Sequence, residues 1–285
     1  MIKKYPRAAV INDLSGMGRC SLAVSIAVLS VMGVTPCALP TAVLSHQTAF
    51  ENYYSHDLSR EMELIASRWA DMGERFDGII SGYVAHHAQV ELIEKIIDDF
   101  GGGALVLVDP VLGDNGALYH SCSRETVTRM RSLAGKADVL TPNLTELCAL
   151  TGADYDETAG DIAHSGGVQP ALELARKLRA ETGAKIAVTG VSVGNTLCNL
   201  SLDENGEGVT SNEKIGGCFS GTGDIFSSVL FGSLLMGGDL QGSVKRAGDF
   251  VTAAIKNTVG SGEDPRYGVR FEGVLRGDIR IKNNE

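Results

Sequence analysis

The residues best suited to chemistry lie in Gly216-Gly217-Cys218-Phe219-Ser220-Gly221-Thr222-Gly223-Asp224, which runs straight into the apolar stretch Ile225-Phe226-Ser227-Ser228-Val229-Leu230. A glycine loop that opens an apolar helix leaves backbone N–H groups unpaired at the positive end of the helix dipole, and such an end attracts anions. Asp224 has two readings there. It can cap its own helix. Alternatively, it takes a proton from a hydroxyl while a phosphoryl group is transferred beside it, which explains a carboxylate placed where it would otherwise repel a bound phosphate. No G-x-x-x-x-G-K-[ST] loop occurs, and Ser15-Gly16-Met17-Gly18 lacks the G-x-G-x-x-G spacing of a dinucleotide site. A nucleotide bound to this chain must therefore be held by backbone amides, hydroxyls and a cation.

Two further clusters fit that need. Asp109-Pro110-Val111-Leu112-Gly113-Asp114 sets two carboxylates behind the apolar run Ala104–Val108, and Thr141-Pro142-Asn143-Leu144-Thr145-Glu146 follows Ala137–Leu140. The second cluster reads equally as a helix capping box, with Asn143 at the cap and Glu146 three residues on. Oxygen donors of this kind also suit Mg²⁺, which is held through few protein groups, substrate phosphates and water. A magnesium ion shared with a nucleotide would offset the repulsion between an acidic chain and a triphosphate. His46, His86 and His87 are read as solvated or hydrogen-bonded side chains, because their spacing suits no metal site.

These residues must be positioned by repeated β-α units. Strands are expected at Ala8–Ile11, Val34–Leu39, Phe76–Ile80, Ala104–Val108, Ala137–Leu140 and Lys185–Val188. Helices are expected at Ser21–Met32, Ser59–Met72, His86–Phe100, Arg124–Leu133 and Pro170–Thr182. Uninterrupted apolar strands indicate burial on both faces. The pattern predicts an α/β fold: one domain over 1–285 with a doubly wound, mostly parallel sheet and helices on both faces. Short alternating pieces at Leu197–Leu200 and Gly208–Thr210 predict hairpin strands at the sheet edge. Ligands of such sheets sit outside the carboxyl ends of the strands, where the polar residues above gather.

Composition narrows the function. With 44% apolar and 21% charged residues the chain is ordinary globular material, and its net charge of −10 without a Lys/Arg stripe argues against nucleic acid. The basic start, Met1 to Arg7, is followed only by the short apolar run Ala8–Ile11, too little for a secretion signal. Leu22–Val34 is too short to span a bilayer. Six scattered cysteines without a C-x-x-C pair read as reduced thiols of a cytoplasmic protein.

With these motifs assembled, the chain resembles the ribokinase-like superfamily and, within it, the pyridoxal kinases. The resemblance rests on Ser45-His46-Gln47-Thr48, Ser81-Gly82-Tyr83, Asp109–Asp114, Thr141–Leu147, Thr189-Gly190 and Gly221-Thr222-Gly223-Asp224, in that order along nearly the whole length. It implies ATP-dependent phosphorylation of the 5′-hydroxymethyl group of a vitamin B6 vitamer. It implies Asp224 as base and Gly221, Thr222 and Gly223 as the anion hole. Asp109, Asn143, Glu146, Thr189 and Thr222 would bind ATP, with Asp114 and Glu146 near Mg²⁺. Thr141 and Thr189 match a site for K⁺ or Na⁺ in some relatives. Asp13, Thr48, Tyr83 and Asp224 would meet the substrate, a homodimer is implied, and the loop Asn115–Ser121 would cover the phosphates. The stretch Asn12-Asp13-Leu14-Ser15-Gly16-Met17-Gly18 is closer to the loop of the sister hydroxymethylpyrimidine kinases, so that substrate stands as an alternative, as does a non-catalytic vitamer-binding module.

Overall fold

Short, wholly apolar strands bury both faces, so the chain must cover its sheet with helices on two sides. The computed structural model describes residues 5–282. Met1 to Lys4, part of the start read above against a secretion signal, lie outside the described residues. The first half of the chain forms β1 (Arg7–Ser15), α1 (Ser21–Val31), β2 (Thr35–Leu44), β3 (Ser55–Asp57), α2 (Ser59–Asp71), β4 (Gly78–Ser81) and α3 (Ala88–Phe100). Next come β5 (Leu105–Val108), the two-residue strands β6 (Gly113–Asp114) and β7 (Ala117–Leu118), α4 (Arg124–Ala134), β8 (Val139–Leu140), α5 (Leu144–Thr151), α6 (Tyr155–Ser165) and α7 (Gln169–Thr182). The chain continues with β9 (Lys185–Val193), β10 (Thr196–Asp203), β11 (Gly206–Glu213), α8 (Thr222–Leu235), α9 (Leu240–Thr258) and α10 (Glu272–Lys282).

Nine strands form one sheet in the order β11-β10-β9-β8-β5-β4-β1-β2-β3. The six central strands from β9 to β2 are parallel, and the antiparallel pairs lie at the two edges. This is the doubly wound, mostly parallel α/β sheet that the apolar runs predict, with the expected hairpin, β10–β11, at one edge. Alternate strand residues serve different cores. Ala9, Ile11, Ile79, Val106 and Val108 face the cluster packed by α2 to α7. Ala8, Val10, Ile80, Leu107 and Val139 face the cluster formed with α1, α8 and α9.

On that second face α1 and α8 lie close together. Gly232 of α8 makes room for the residues at the end of α1: a Cβ there would meet Met32 Sδ at 2.8 Å and Leu29 Cδ2 at 3.3 Å. Ser228 Oγ donates to Ser25 Oγ at 3.0 Å between the two helices. The N-termini of α1 and α8 are thereby brought side by side at the carboxyl end of β1. Strands β2 and β9 run past their expected ends at Leu39 and Val188, to Leu44 and Val193. Strand β1 runs on through Asp13 to Ser15, because Leu14 and Ser15 still pair with Val43 and Leu44 after a register irregularity. Helices α6, α9 and α10 and the short strands β3, β6 and β7 have no counterpart among the elements expected from the sequence.

Candidate active site

The site is built where strand ends and two helix starts converge. Helix α8 begins at Gly221, whose φ of +76° favours glycine and whose Cβ, if present, would lie 2.0 Å from the Arg19 carbonyl. The N–H groups of Gly221, Thr222 and Gly223 have no hydrogen-bond partner among the described residues. They stand open to the cavity, as an anion hole requires. Asp224, third residue of α8, does not cap its own helix. Its Oδ1 accepts from Asn12 Nδ2 at 3.0 Å and its Oδ2 from the Ser21 backbone N–H at 2.8 Å. Burial pushes its carboxyl up to about 6; the Ser21 N–H and Asn12 oppose that rise, and the charge of Asp13 adds to it.

Asp13 is buried beside it and accepts from Ser15 Oγ at 3.0 Å. Burial raises its carboxyl as well, against the hydrogen bonds from Ser21 and Ser15. Tyr83 follows β4 after Gly82; its N–H donates to Asn12 Oδ1 at 2.9 Å and its carbonyl accepts from Thr41 Oγ1 at 3.0 Å. Thr48 is exposed on a loop held by Gln47, whose Nε2 donates to Ser220 Oγ at 2.9 Å and to the Arg266 carbonyl at 2.7 Å.

The opposite end of the cavity belongs to β5 and β8. Glu146 is buried at the start of α5, and both readings of its cluster meet there. Asn143 Oδ1 accepts from the Glu146 N–H at 2.9 Å, and Glu146 Oε2 accepts from the Asn143 N–H at 2.9 Å, a complete capping box. Glu146 Oε1 also takes the Leu112 N–H at 2.9 Å, and Asn143 Nδ2 donates to the Gly113 carbonyl at 2.8 Å. Burial lifts the Glu146 carboxyl to about 7 despite its backbone donors. Asp109, buried between Glu146 and Asp224, is held well above the usual carboxylate range by burial and then by those two charges. Asp114 is exposed at the rim and accepts from both the backbone N–H and Nδ2 of Asn115 at 2.9 Å. Thr141 Oγ1 is buried without a hydrogen bond of ordinary geometry, and Thr189 bridges Asn143 across β9. The loop after Asp114 is a tight hairpin on Asn115-Gly116, with Gly116 N–H donating to Thr145 Oγ1 at 2.9 Å.

Every residue expected to act on substrate, nucleotide or cation lines one cavity of about 580 Å³: Asp13, Thr48, Tyr83, Asp109, Asp114, Thr141, Asn143, Glu146, Thr189 and Gly221 to Asp224. Five carboxylates line it and, among the described residues, no lysine, arginine or histidine does. The three histidines bond elsewhere: His46 Nδ1 lies 3.0 Å from Ser45 Oγ, His86 Nε2 2.8 Å from Asp57 Oδ2, and His87 faces Glu125. Sequence reasoning missed Asn12, Ser21, Gln47 and the segment Asp264–Gly268. That segment accepts the Arg19 and Ser220 N–H groups on the Tyr267 and Pro265 carbonyls, and it places Arg266 over the Phe50 ring. Ser21 and Val111 carried a backbone signal that sequence hides: both have positive φ, at 52° and 43°. In each case the strained backbone delivers an N–H to a site carboxylate, from Ser21 itself and from Leu112 after Val111.

Against this geometry, the model of the phosphomethylpyrimidine kinase family matches residues 23–267. A Bacteroides thetaiotaomicron structure, provisionally named a phosphomethylpyrimidine kinase and solved with pyridoxal, is 35% identical, with a TM-score of 0.87 over 96% of each chain. Pyridoxal kinase from Lactobacillus plantarum is 30% identical, with a TM-score of 0.88 over 98% of this chain and 99% of its own. A hydroxymethylpyrimidine/phosphomethylpyrimidine kinase of Haemophilus influenzae is 31% identical over 65% of this chain and 67% of its own length. Several other curated relatives are matched over only about half their length. Among the described residues, no helix is long and apolar enough to cross a membrane.

Proposed function

The chain belongs to the phosphomethylpyrimidine kinase family, and from that membership and the site's geometry we propose that it transfers the terminal phosphoryl group of ATP to the 5′-hydroxymethyl group of pyridoxal, pyridoxine or pyridoxamine. One observation carries this reading: the Gly221, Thr222 and Gly223 N–H groups stand unbonded beside a carboxylate that turns away from its own helix. Pyridoxal in the Bacteroides relative and the pyridoxal kinase likeness support the choice of acceptor.

In this reading an Asp224 carboxylate oxygen accepts the substrate hydroxyl proton as the oxygen attacks. The three amides donate to the phosphoryl oxygens as their charge redistributes. A phosphoryl transition state is loose, so positioning and charge stabilisation matter more than the strength of the base. Tyr83 borders the pyridine ring, with Thr48 and Asp13 as its polar partners. Asp109, Asn143, Thr189 and Thr222 contact the nucleotide. The hairpin turn at Asn115 shields the phosphates.

A cavity with five carboxylates and, among the described residues, no basic side chain suits a triphosphate when a hard cation accompanies it, and the oxygen donors present fit Mg²⁺. Among the described residues no three His, Cys, Asp or Glu groups cluster tightly enough to hold a metal alone, which fits an ion shared with phosphates and water. Asp114 and Glu146 would hold it; when bound, it would supply neutralisation of the phosphate charge. Thr141, through its unpaired hydroxyl, and Thr189 are the proposed donors to K⁺ or Na⁺. We also propose a homodimer, supported by the exposed apolar side chains Leu14, Val43 and Tyr54 beside the β2–β3 edge, and a cytoplasmic location, supported by six free cysteines.

Asp13 favours a second acceptor, because its carboxylate would also receive the amino group of hydroxymethylpyrimidine. Coupled ADP release with Mg-ATP and each of the three vitamers or hydroxymethylpyrimidine separates the two. The proposal expects turnover on at least one vitamer with kcat/KM at least about 10-fold above that on the pyrimidine. The reverse ratio would move the chain to the pyrimidine, and binding of a vitamer without ADP release would make it a non-catalytic module.

A further inference from the structure

We propose that Asn12 is a positioning residue for phosphoryl transfer, holding the Asp224 carboxylate in its proton-accepting orientation and tying it to the turn that carries Tyr83. The inference rests on the kinase reading above but concerns a side chain that the reading does not use. Asn12 is buried near the carboxyl end of β1. Its amide orientation is not free. Oδ1 accepts the Tyr83 N–H at 2.9 Å and the Asp13 N–H at 3.0 Å. Backbone N–H groups can only donate, so Nδ2 must be the atom that faces Asp224 Oδ1 at 3.0 Å.

The turn after β4 packs closely against this amide: a Cβ at Gly82 would come 2.7 Å from Asn12 Nδ2. Asp224 Oδ2 is anchored separately by the Ser21 N–H from the start of α1. Both oxygens are thus tethered, one to strand β1 and one to helix α1, while Asp224 still lines the cavity. The titratable groups around Asp224 are Asp13 on β1, Cys20 before α1, Asp109 after β5 and Tyr119 beyond β7. None is a cation. Asp13 and Asp109 repel an ionised Asp224, and Asn12 and the Ser21 N–H are the donors that oppose them.

The test is steady-state kinetics of Asn12→Asp and Asn12→Ala across pH 5–9, with Asp224→Asn assayed alongside. Asn12→Asp keeps the oxygen that serves Tyr83 and Asp13 but turns the donor facing Asp224 into an acceptor. It should lower kcat at pH 7 by about 30-fold or more, move the acid limb of the pH profile upward by about one unit, and leave the ATP KM within about 3-fold. Asn12→Ala, which removes the donor without adding charge, should cost about 10-fold in kcat with a smaller upward move. Activity near that of the unmodified protein in both variants overturns the proposal, and so does a loss of kcat with the limb in place, which would mean packing alone. Should Asn12→Asp not fold, the Asn12→Ala profile decides on the same criterion. Near-normal turnover in Asp224→Asn would instead overturn the kinase mechanism itself, so the two failures are distinguishable.

Discussion

Two helices open onto the same cavity, and each has an acid as its third residue: Glu146 in α5 and Asp224 in α8. Their starts are built to opposite ends. At α5 the cap is Asn143 in an extended conformation, its side chain bonds the Glu146 N–H, and Glu146 returns to the Asn143 N–H. At α8 the cap is Gly221 in the left-handed region, with no side chain to offer, and Asp224 reaches across to Asn12 and the start of α1. A closed helix start consumes its own amides, whereas an open one keeps them for an anion. One cavity thus holds a rigid, self-capped carboxylate at one end and, at the other, open amides beside a carboxylate held from a distance; the proposed function assigns the first to the metal and the second to phosphoryl transfer.

The largest expected effect comes from the open start. Asp224→Asn should lower turnover by two or more orders of magnitude while nucleotide affinity changes little, as read by steady-state kinetics and calorimetric ADP binding. Gly221→Ala follows. Its Cβ would meet the Arg19 carbonyl at 2.0 Å in a left-handed conformation, so the cradle must shift. A fall of about 10- to 100-fold in kcat/KM is expected with Asp224 intact. Near-normal kinetics would show that the amides do not need this conformation.

The closed start should respond differently. Glu146→Gln keeps the shape but loses the charge, and should raise the Mg²⁺ concentration for half-maximal rate by about 10-fold; an unchanged metal titration would separate Glu146 from the ion. Asn143→Ala removes the side-chain cap and should cost about 1 kcal/mol, seen as a few degrees in Tm. The smallest effect is on pH. Asp224 must be ionised to accept a proton, so kcat/KM should fall as pH drops through about 6. Asp13→Asn removes a repelling charge and should move that limb downward. For stability the sign is opposite to that of a salt-bridged acid. The folded Asp224 keeps its proton between its ordinary value near 4 and about 6, so its contribution to stability falls as pH rises through that window. Asp224→Asn should lose that dependence in thermal melts.

Both helix starts were visible in the sequence as local motifs, but the contrast between them was not. Asp224 read equally as a cap of its own helix, and only its reach to Asn12 and Ser21, far away in the chain, distinguishes G-T-G-D from the self-capped N-L-T-E. The parallel sheet was legible as a local pattern, since strands such as Leu105–Val108 are apolar on both faces. Helix α9 carries an apolar face at Leu240, Val244, Ala247 and Ala254, but glycines and charges between them dilute the pattern. Asn12 is a different case. Its partners lie 71 and 212 residues away, and only the crossing of β1, the turn after β4 and α8 brings them together. The Arg266 and Tyr267 carbonyls meet Gln47 and the Arg19 N–H by the same kind of long-range closure.

The central claim is tested most directly by a structure of the complex with ADP, Mg²⁺, aluminium fluoride and pyridoxal. The analogue of the moving phosphoryl group should sit within about 3 Å of at least two of the Gly221, Thr222 and Gly223 amides, with an Asp224 oxygen on the substrate hydroxyl. An analogue held away from α8, or an Asp224 carboxylate turned from the hydroxyl, would contradict it.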